Sequence, residues 1–513
     1  MRDSDHDPLA SARPNRRQLL EILGAAAAAG AGLPALMRPA QAQDNPNNCA
    51  PLGVAGKTPV PFKPNPALPL RVRKSAFELS TAEIDRLKAA YAALRKLNTD
   101  NPDDPRGWLR QGFVHCWYCG GGSNGQEGEE IHSSWWFFPW HRAYLYFHER
   151  ILCKLIGDDS FALPYWDWDS QGRQTFPPPY GDPNDASNPL FDMLRSAAPG
   201  SAISPSAVSV RGMNLTMNSS TNNLFMGTQS GRTGAMERQP HGPVHIWTGD
   251  TTMQGANNDM GVLATAAQDP VFFSHHANID RLWAVWLGLT PQHQNFSSPT
   301  WQTHTWQFFD ENAVWTDMAV SDVLDPAGSL RVSWQPPTPK PIWTYTPKTP
   351  RVAITAAAPA ATTFLVANAP GGIPVGTKPQ SRSVSLPADL AGKLTTLSVT
   401  SAPEYLLHIE DIQVPPDGQV LFNVFINLPD ADPATSLDLP NFAGTVTVLA
   451  KGNMPMGHQH ANVNAVLDIT DSLSQVAKEA NGKLSVTLVP AAGTKEPTRD
   501  SGATFKRIYI EKV

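Results

Sequence analysis

The chain of 513 residues is predicted to fold as a mainly α protein, a helical bundle holding a dinuclear metal site, followed by a small C-terminal β-sandwich. The bundle follows from an amphipathic segment with its own capping residues and from histidines in segments with helix-start signals. The sandwich follows from a hydrophobic pattern that changes to a period of two at about Lys378. With 41% hydrophobic and 17% charged residues, the composition is typical of a globular chain of two or three domains.

Residues 1–42 are typical of an export signal. Arg16 and Arg17 precede an apolar run rich in Ala and Gly, and Ala40-Gln41-Ala42 is a candidate cleavage site. The apolar run is too short and too weakly hydrophobic for a stable membrane anchor. The twin arginines predict export of the folded protein through the Tat route, to the periplasm or out of the cell. The alternative is a disordered tail with a chance arginine pair.

The segment Ser80–Leu97 is predicted to be an amphipathic helix. Ser80 and Glu83 have the spacing of a capping box at its start. One apolar stripe then recurs at helical spacing, formed by Ile84, Leu87, Tyr91 and Leu94.

Three histidines, His115, His132 and His141, lie among aromatic residues in one stretch of the chain. A helix is predicted to begin at Pro139, because the missing N–H of proline costs nothing at a first helical position. Buried imidazole nitrogens need partners, since an unpaired buried polar group costs about 1–3 kcal/mol. A metal ion is one such partner. Taken alone, the stretch would favour three hydrogen-bonded core histidines.

A second set of histidines favours the metal. His241 and His245 are four residues apart, which places both rings on one face of a helix. A further predicted helix begins at Pro270 and contains His275 and His276. Imidazole suits copper, zinc, iron and nickel, and the scarcity of nearby carboxylates argues against magnesium or a carboxylate-bridged di-iron site. The spacing therefore predicts a dinuclear site for one of these four metals.

Four sequence motifs narrow the choice of metal. They are H-C-W-Y-C, F-F-P-W-H-R-A-Y-L-Y-F, H-G-P-V-H-I-W-T-G and D-P-V-F-F-S-H-H-A-N-I-D-R-L-W. Together they resemble the copper-binding regions of type-3 copper proteins, specifically plant-type polyphenol oxidases, over roughly residues 45–345 and more weakly beyond. The resemblance implies two coppers per chain, one held by His115, His132 and His141 and the other by His241, His245 and His276. It makes His275 a neighbour of the site.

The same resemblance implies two covalent links. The family's N-terminal disulfide corresponds to Cys49–Cys116, and its cysteine–histidine thioether corresponds to Cys119–His132. Cys153 matches no position of the family and is expected to be a buried helix thiol.

Three further positions match residues that act on the substrate in this family. Glu237, four residues before His241, corresponds to a glutamate that holds a deprotonating water. Gly242 stands where proficient tyrosinases carry an asparagine that assists this glutamate. Leu263 occupies the position of the residue that gates the copper pocket.

The chain is predicted to consist of a catalytic domain at 43–345, a linker at 346–376 that is rich in Pro, Ala and Thr, and a C-terminal β-rich domain at 377–513. The resemblance implies that this last domain covers the copper site until it is removed. The C-terminal domain also contains a cluster of candidate copper ligands: Met454, Met456, His458 and His460. This cluster either contacts copper in transit or, more simply, is an exposed polar loop.

The implied activity is oxidation of o-diphenols by O2 to o-quinones, with weak monophenol hydroxylation, which is the activity of a catechol oxidase. Together with the export signal, the resemblance indicates an exported, bacterial form of the family. Small phenols are the expected partners. The formal net charge of −6, without a basic stripe, predicts no nucleic-acid partner. The alternatives are a tyrosinase with substantial monophenolase activity and, more remotely, a haemocyanin-like oxygen carrier.

Overall fold

The computed structural model describes residues 49–119, 130–181, 187–197, 200–249, 259–347, 362–385, 404–415, 418–450, 463–476, 483–491 and 500–513. The predicted export signal at 1–42 and the cluster at 454–460 lie outside these residues. The helices are α1 (Thr81–Asp100), α2 (Trp108–Tyr118), α3 (Phe137–Ile156), α4 (Val210–Met217), α5 (Asn222–Met226), α6 (Gly242–Thr248), α7 (Val271–Leu289), α8 (Pro299–Thr303), α9 (Val320–Val323) and α10 (Thr470–Val476).

The strands are β1 (Val60–Pro61), β2 (Arg71–Arg73), β3 (Arg232–Thr233), β4 (Thr305–Phe309), β5 (Trp315–Ala319), β6 (Val332–Trp334), β7 (Thr362–Pro374), β8 (Gln380–Ser385), β9 (Tyr405–Ile412), β10 (Val420–Ile426), β11 (Phe442–Val448), β12 (Val463–Asp468), β13 (Lys483–Pro490) and β14 (Thr504–Lys512). A helical core packed with sheets is thus present. It is more mixed than the mainly α class that the histidine segments predict.

The helical core begins with α1, which has the predicted capping box. The Ser80 side chain accepts a hydrogen bond from the Glu83 amide, and the Glu83 carboxylate accepts one from the Ser80 amide at 2.9 Å. Helix α3 starts two residues before the predicted Pro139 and ends at Ile156, where it is capped by Gly157, whose φ of 66° suits glycine. Pro270 lies immediately before α7, where its fixed φ favours a helical start.

A buried ionic network fixes α3 against α7. Asp280 on α7 accepts hydrogen bonds from Arg142 on α3 at 2.5 Å and from Arg73 on β2 at 3.0 Å. Arg73 and Arg71 both bond Glu149 on α3, at 2.9 and 2.7 Å. Removing one member of such a buried pair costs about 3–5 kcal/mol. The network therefore holds the two helices that carry His141 and His276 at a fixed separation.

The C-terminal half consists of two sheets with one hydrophobic cluster between them, in the strand orders β11-β10-β13-β8 and β3-β12-β9-β14-β7. Strand β3 comes from the helical half and pairs in parallel with β12, which joins the two halves of the chain. Strand β7 begins at Thr362 and pairs with β14, so a strand occupies part of the predicted linker 346–376. Among the described residues, no helix combines the length and the apolar character needed to cross a bilayer.

Candidate metal centre

Two groups of buried histidines meet in the helical core. The first histidine group contains His115, His132 and His141, and the second contains His241, His245, His275 and His276. Within each group the candidate ligand atoms all lie within 4.8 Å of one another. The groups face each other: the rings of His141 and His276 stack with centroids 4.1 Å apart. The predicted histidines of both sets are thus brought to one place.

Rigid elements position most of these rings. His115 lies on α2 and His141 on α3, while His132 lies in the loop just before α3. His241 ends a turn that runs directly into α6, which carries His245.

Backbone carbonyls orient four of the rings through Nδ1. These pairs are His115 with Leu263 at 2.8 Å, His141 with Phe137 at 2.7 Å, His241 with Glu237 at 3.2 Å and His245 with Met260 at 2.8 Å. A carbonyl only accepts, so Nδ1 carries the proton and Nε2 keeps its lone pair. The Nε2 atoms of His132, His141 and His241 are buried with no hydrogen-bond partner among the described residues. Such a donor set fits two metal ions, one for each group.

Within the second group, the hydrogen bonds favour His276 over His275 as a metal ligand. The indole Nε1–H of Trp168 donates to Nδ1 of His275 at 3.1 Å. An indole can only donate, so neutral His275 carries its own proton on Nε2 and has no lone pair left for a metal. His276 instead places its Nε2 3.3 Å from Nε2 of His245, as two ligands of one ion do.

Protonation states agree with metal binding. Burial, with a contribution from neighbouring histidines, holds the pKa well below its usual value at His115, His141, His241 and His276. Burial lowers the pKa of His245 to about 3. The rings are therefore neutral at pH 7, which is the form that binds a metal.

The cysteines follow the expected arrangement in part. Cys49 and Cys116 form a disulfide with their Cα atoms 5.7 Å apart. Sγ of Cys119 is buried 3.5 Å from Nδ1 of His132, in nonbonded contact. Cys153 is a buried thiol on α3, close to the carbonyl oxygen of Phe161 at 3.4 Å.

Sequence reasoning missed Glu130. Its Oε1 accepts from the amide of His132 at 3.0 Å and lies 3.2 Å from Nδ1 of the same ring. The one available signal was an acidic residue two positions before a candidate ligand.

A cavity of about 300 Å³ opens beside His132 and His241. The helical half contributes Glu237, Gly242 and Leu263 to its wall, and the C-terminal half contributes Thr447, Val448, Leu449 and Val463. The three positions predicted to act on the substrate are thus gathered in one cavity. A Cβ added at Gly242 would lie 2.7 Å from Cγ2 of Thr447, so the C-terminal half lies directly against this wall.

Glu237 is a buried carboxyl at the cavity wall. Its Oε1 accepts from the amide of Ser133 at 2.6 Å, and its Oε2 has no partner among the described residues. Burial raises the pKa of this carboxyl well above its usual range, and nearby Glu130 adds to the rise. The carboxyl therefore keeps its proton to a higher pH than an exposed glutamate does.

Comparison with known proteins identifies the family. The family model for the common central domain of tyrosinase matches residues 105–202 and 195–289, and that for the chloroplastic polyphenol oxidase C-terminal domain matches residues 392–504. The latent polyphenol oxidase of Prunus armeniaca is 33% identical over 481 residues, which cover 86% of this chain and 76% of that protein. Catechol oxidase B of Solanum tuberosum is 31% identical over 460 residues, 84% of this chain and 76% of its own.

Comparison with solved structures leads to the same family. Latent apple tyrosinase superposes with a TM-score of 0.67 at 32% identity, covering 89% of this chain and all of that one. Latent aurone synthase superposes with a TM-score of 0.70 at 27% identity, covering 91% and 93%. The chain therefore belongs to the plant-type polyphenol oxidases, copper-dependent oxidoreductases of the tyrosinase family with a type-3 dicopper site.

Proposed function

We propose that the protein oxidises o-diphenols with O2 to o-quinones, and that six histidines hold its two coppers: His115, His132 and His141 for one and His241, His245 and His276 for the other. The observation that carries this proposal is the pair of facing histidine groups, in which Nε2 of His132, His141 and His241 is buried with no hydrogen-bond partner in the described part of the chain. The copper pair supplies the electron exchange between the diphenol and O2.

The protein's own residues shape the reaction. The carbonyls bonded to Nδ1 keep the ring nitrogens aimed at the metal positions, so no reorganisation is needed when substrate arrives. The cavity wall is mainly apolar beside the histidines, which excludes water and suits an aromatic ring.

Glu237 and Gly242 favour diphenols over monophenols. Hydroxylation of a phenol requires removal of a proton whose ordinary pKa is about 10. A positioned base contributes about 10²–10⁴-fold to such a step. Glu237 is placed to hold a water for this purpose, but Gly242 has no side chain to fix that water. Weak monophenolase activity follows.

The main alternative is a tyrosinase with substantial monophenolase activity, and the likeness to latent apple tyrosinase supports it. The relatives and solved structures compared above carry the names of enzymes, which favours catalysis over oxygen carriage.

The C-terminal half is proposed to keep the enzyme latent. Thr447, Leu449 and Val463 line the cavity from this half. Because β7 is an integral strand of the C-terminal sheets, we place the start of the shielding domain at Thr362 instead of 377, and the cleavable linker before it. The catalytic domain is proposed to span 43–345.

Two features of processing belong to the same proposal. A thioether between Cys119 and His132 is proposed from the family resemblance, and Sγ of Cys119 lies in contact with both His132 at 3.5 Å and His115 at 3.4 Å. Export of a bacterial protein through the Tat route is supported by Arg16 and Arg17 and by the apolar run that follows them.

Oxygen uptake by copper-loaded protein tests the activity. With 4-methylcatechol, uptake should be substantial after limited proteolysis and much larger than with 4-methylphenol. An oxygen carrier would bind O2 but leave both substrates unchanged.

A further inference from the structure

One short stretch of backbone orients a histidine in each of the two groups. We call residues 259–265 the bridge segment. Its Met260 carbonyl accepts from Nδ1 of His245 at 2.8 Å, and its Leu263 carbonyl accepts from Nδ1 of His115 at 2.8 Å. A displacement of this segment therefore disturbs both groups together.

The helical half fixes the first part of the bridge segment. Gly261 approaches Gly249, at the end of α6, so closely that an added Cβ would lie 1.6 Å from the Gly249 carbonyl oxygen. Inside the segment, the Asp259 carbonyl accepts from the Val262 amide at 3.2 Å.

The C-terminal half fixes the second part. The amide of Leu263 donates to the carbonyl of Ala450 at 2.9 Å, and Val262 forms a parallel bridge with Ala450. Leu263 is therefore bonded on both sides of its Cα, to Ala450 through its amide and to the ring of His115 through its carbonyl.

Ala450 itself is held firmly. The preceding residue, Leu449, is 5% exposed and belongs to the hydrophobic cluster of the helical core, although it comes from the C-terminal half. Leu421 on β10 is 4% exposed and enters the same cluster. Leu449 precedes Ala450 directly, whereas Leu421 lies on another strand.

We propose that Ala450 is a positioning residue for the copper site: its carbonyl fixes Leu263, and the bridge segment then orients His115 and His245. This inference rests on the proposed copper ligands. The C-terminal half thus supports the metal centre as well as covering it. Loss of an outer hydrogen bond to a metal-binding histidine typically costs about 10–100-fold in metal affinity. Displacement of the C-terminal half should therefore weaken copper retention.

The first test compares two substitutions at Leu263 in copper-loaded full-length protein. Leu263→Pro removes the amide that bonds Ala450 and keeps the carbonyl that bonds His115. Leu263→Ala keeps both backbone groups and removes the same cavity-lining side chain. Copper transfer to a strong chelator should be faster from L263P than from L263A, by less than the about 10–100-fold that loss of the His115 hydrogen bond itself would cause.

A second pair avoids any change to the backbone of the bridge segment. Leu449→Ala loosens the attachment of Ala450, while Leu421→Ala removes the same side chain from the same cluster elsewhere. At equal distance below their melting temperatures, L449A should bind copper more weakly at equilibrium than L421A, a readout that does not depend on the wider access left by removal of the cavity-lining Leu449 side chain. This pair decides the matter if L263P does not fold.

Equal equilibrium copper affinities of L449A and L421A, with two coppers bound per chain at saturation, would overturn the inference and leave the proposed function intact. Full-length wild-type protein that binds no copper would contradict the proposed function, and the inference with it.

Discussion

The indole of Trp168 donates a hydrogen bond to Nδ1 of His275 at 3.1 Å and so places the ring proton of His275 on Nε2. His276, the next residue on α7, keeps Nε2 3.3 Å from Nε2 of His245. Two adjacent histidines, both buried, therefore differ in their contacts: His275 accepts a hydrogen bond from Trp168 through Nδ1, whereas His276 faces a metal position.

This difference predicts different outcomes for two neighbouring substitutions. His276→Ala should lose one copper and nearly all diphenol oxidation, because it removes a ligand. His275→Ala should keep two coppers and show only a lower melting temperature, since it leaves a cavity and an unpaired indole. Metal analysis of both variants checks this. One copper in H275A together with two in H276A would reverse the assignment.

The contact between Gly242 and Thr447 changes how monophenolase activity should be engineered. Gly242→Asn alone would force Thr447 aside, because even a Cβ would lie 2.7 Å from its Cγ2. In a Thr447→Gly background, Gly242→Asn should raise tyramine hydroxylation by up to about 10²-fold through a fixed water, with diphenol oxidation little changed.

Thr447→Gly alone is the control for that experiment. Hydroxylation and diphenol oxidation that rise in equal proportion would show a wider cavity and argue against a role for the missing asparagine.

Latency should depend on Arg211, which clamps the C-terminal half onto α4. Its guanidinium donates to the carbonyls of Phe442 and Pro440, both at 2.8 Å, and pairs with Asp471 at 2.8 Å. Hydrogen bonds to charged groups contribute about 1.5–3 kcal/mol each. Arg211→Ala should therefore raise kcat/KM for diphenols in the full-length protein.

The matched control is Arg86→Ala, which removes only an ion pair with Asp158 that involves a half-exposed arginine. It should leave activity unchanged. Cleavage before Thr362 should activate the wild-type enzyme as R211A does. Equal kcat/KM before and after cleavage would contradict the proposal that the C-terminal half shields the copper site.

The proposed thioether predicts a cross-linked peptide. Digestion of copper-loaded protein should yield one cross-linked product that contains both the Cys119 peptide and the His132 peptide. In the Cys119→Ser variant the two peptides should be separate. Cys153→Ser is the control, because burial raises the pKa of the Cys153 thiol to about 12 and keeps it unreactive. If mass spectrometry finds the two peptides separate in the wild type, the thioether is absent and the two side chains are only in contact.

The metal-site histidines could be predicted because their spacing and flanking motifs consist of residue identities, which can be read directly from the sequence. The capping box of Ser80 and Glu83 was predicted for the same reason. The carbonyls of Met260 and Leu263 were not predictable, since any residue supplies a backbone oxygen and only the fold brings it to His245 and His115.

Two other differences have physical causes. All of β7 lies within the predicted linker, because the Ala, Pro and Gly residues in and before this segment favour a linker, and its pairing with β14 over a long sequence separation makes it a strand. Trp168 offers no local signal for its contact with His275, which lies 107 residues away.

The most direct test of the central claim is metal analysis combined with diphenol turnover for one variant in each histidine group. The wild type should bind two coppers, and His141→Ala and His245→Ala should each bind one and lose nearly all activity. Either variant retaining two coppers and full turnover would contradict the assignment of these histidines to a catalytic dicopper site.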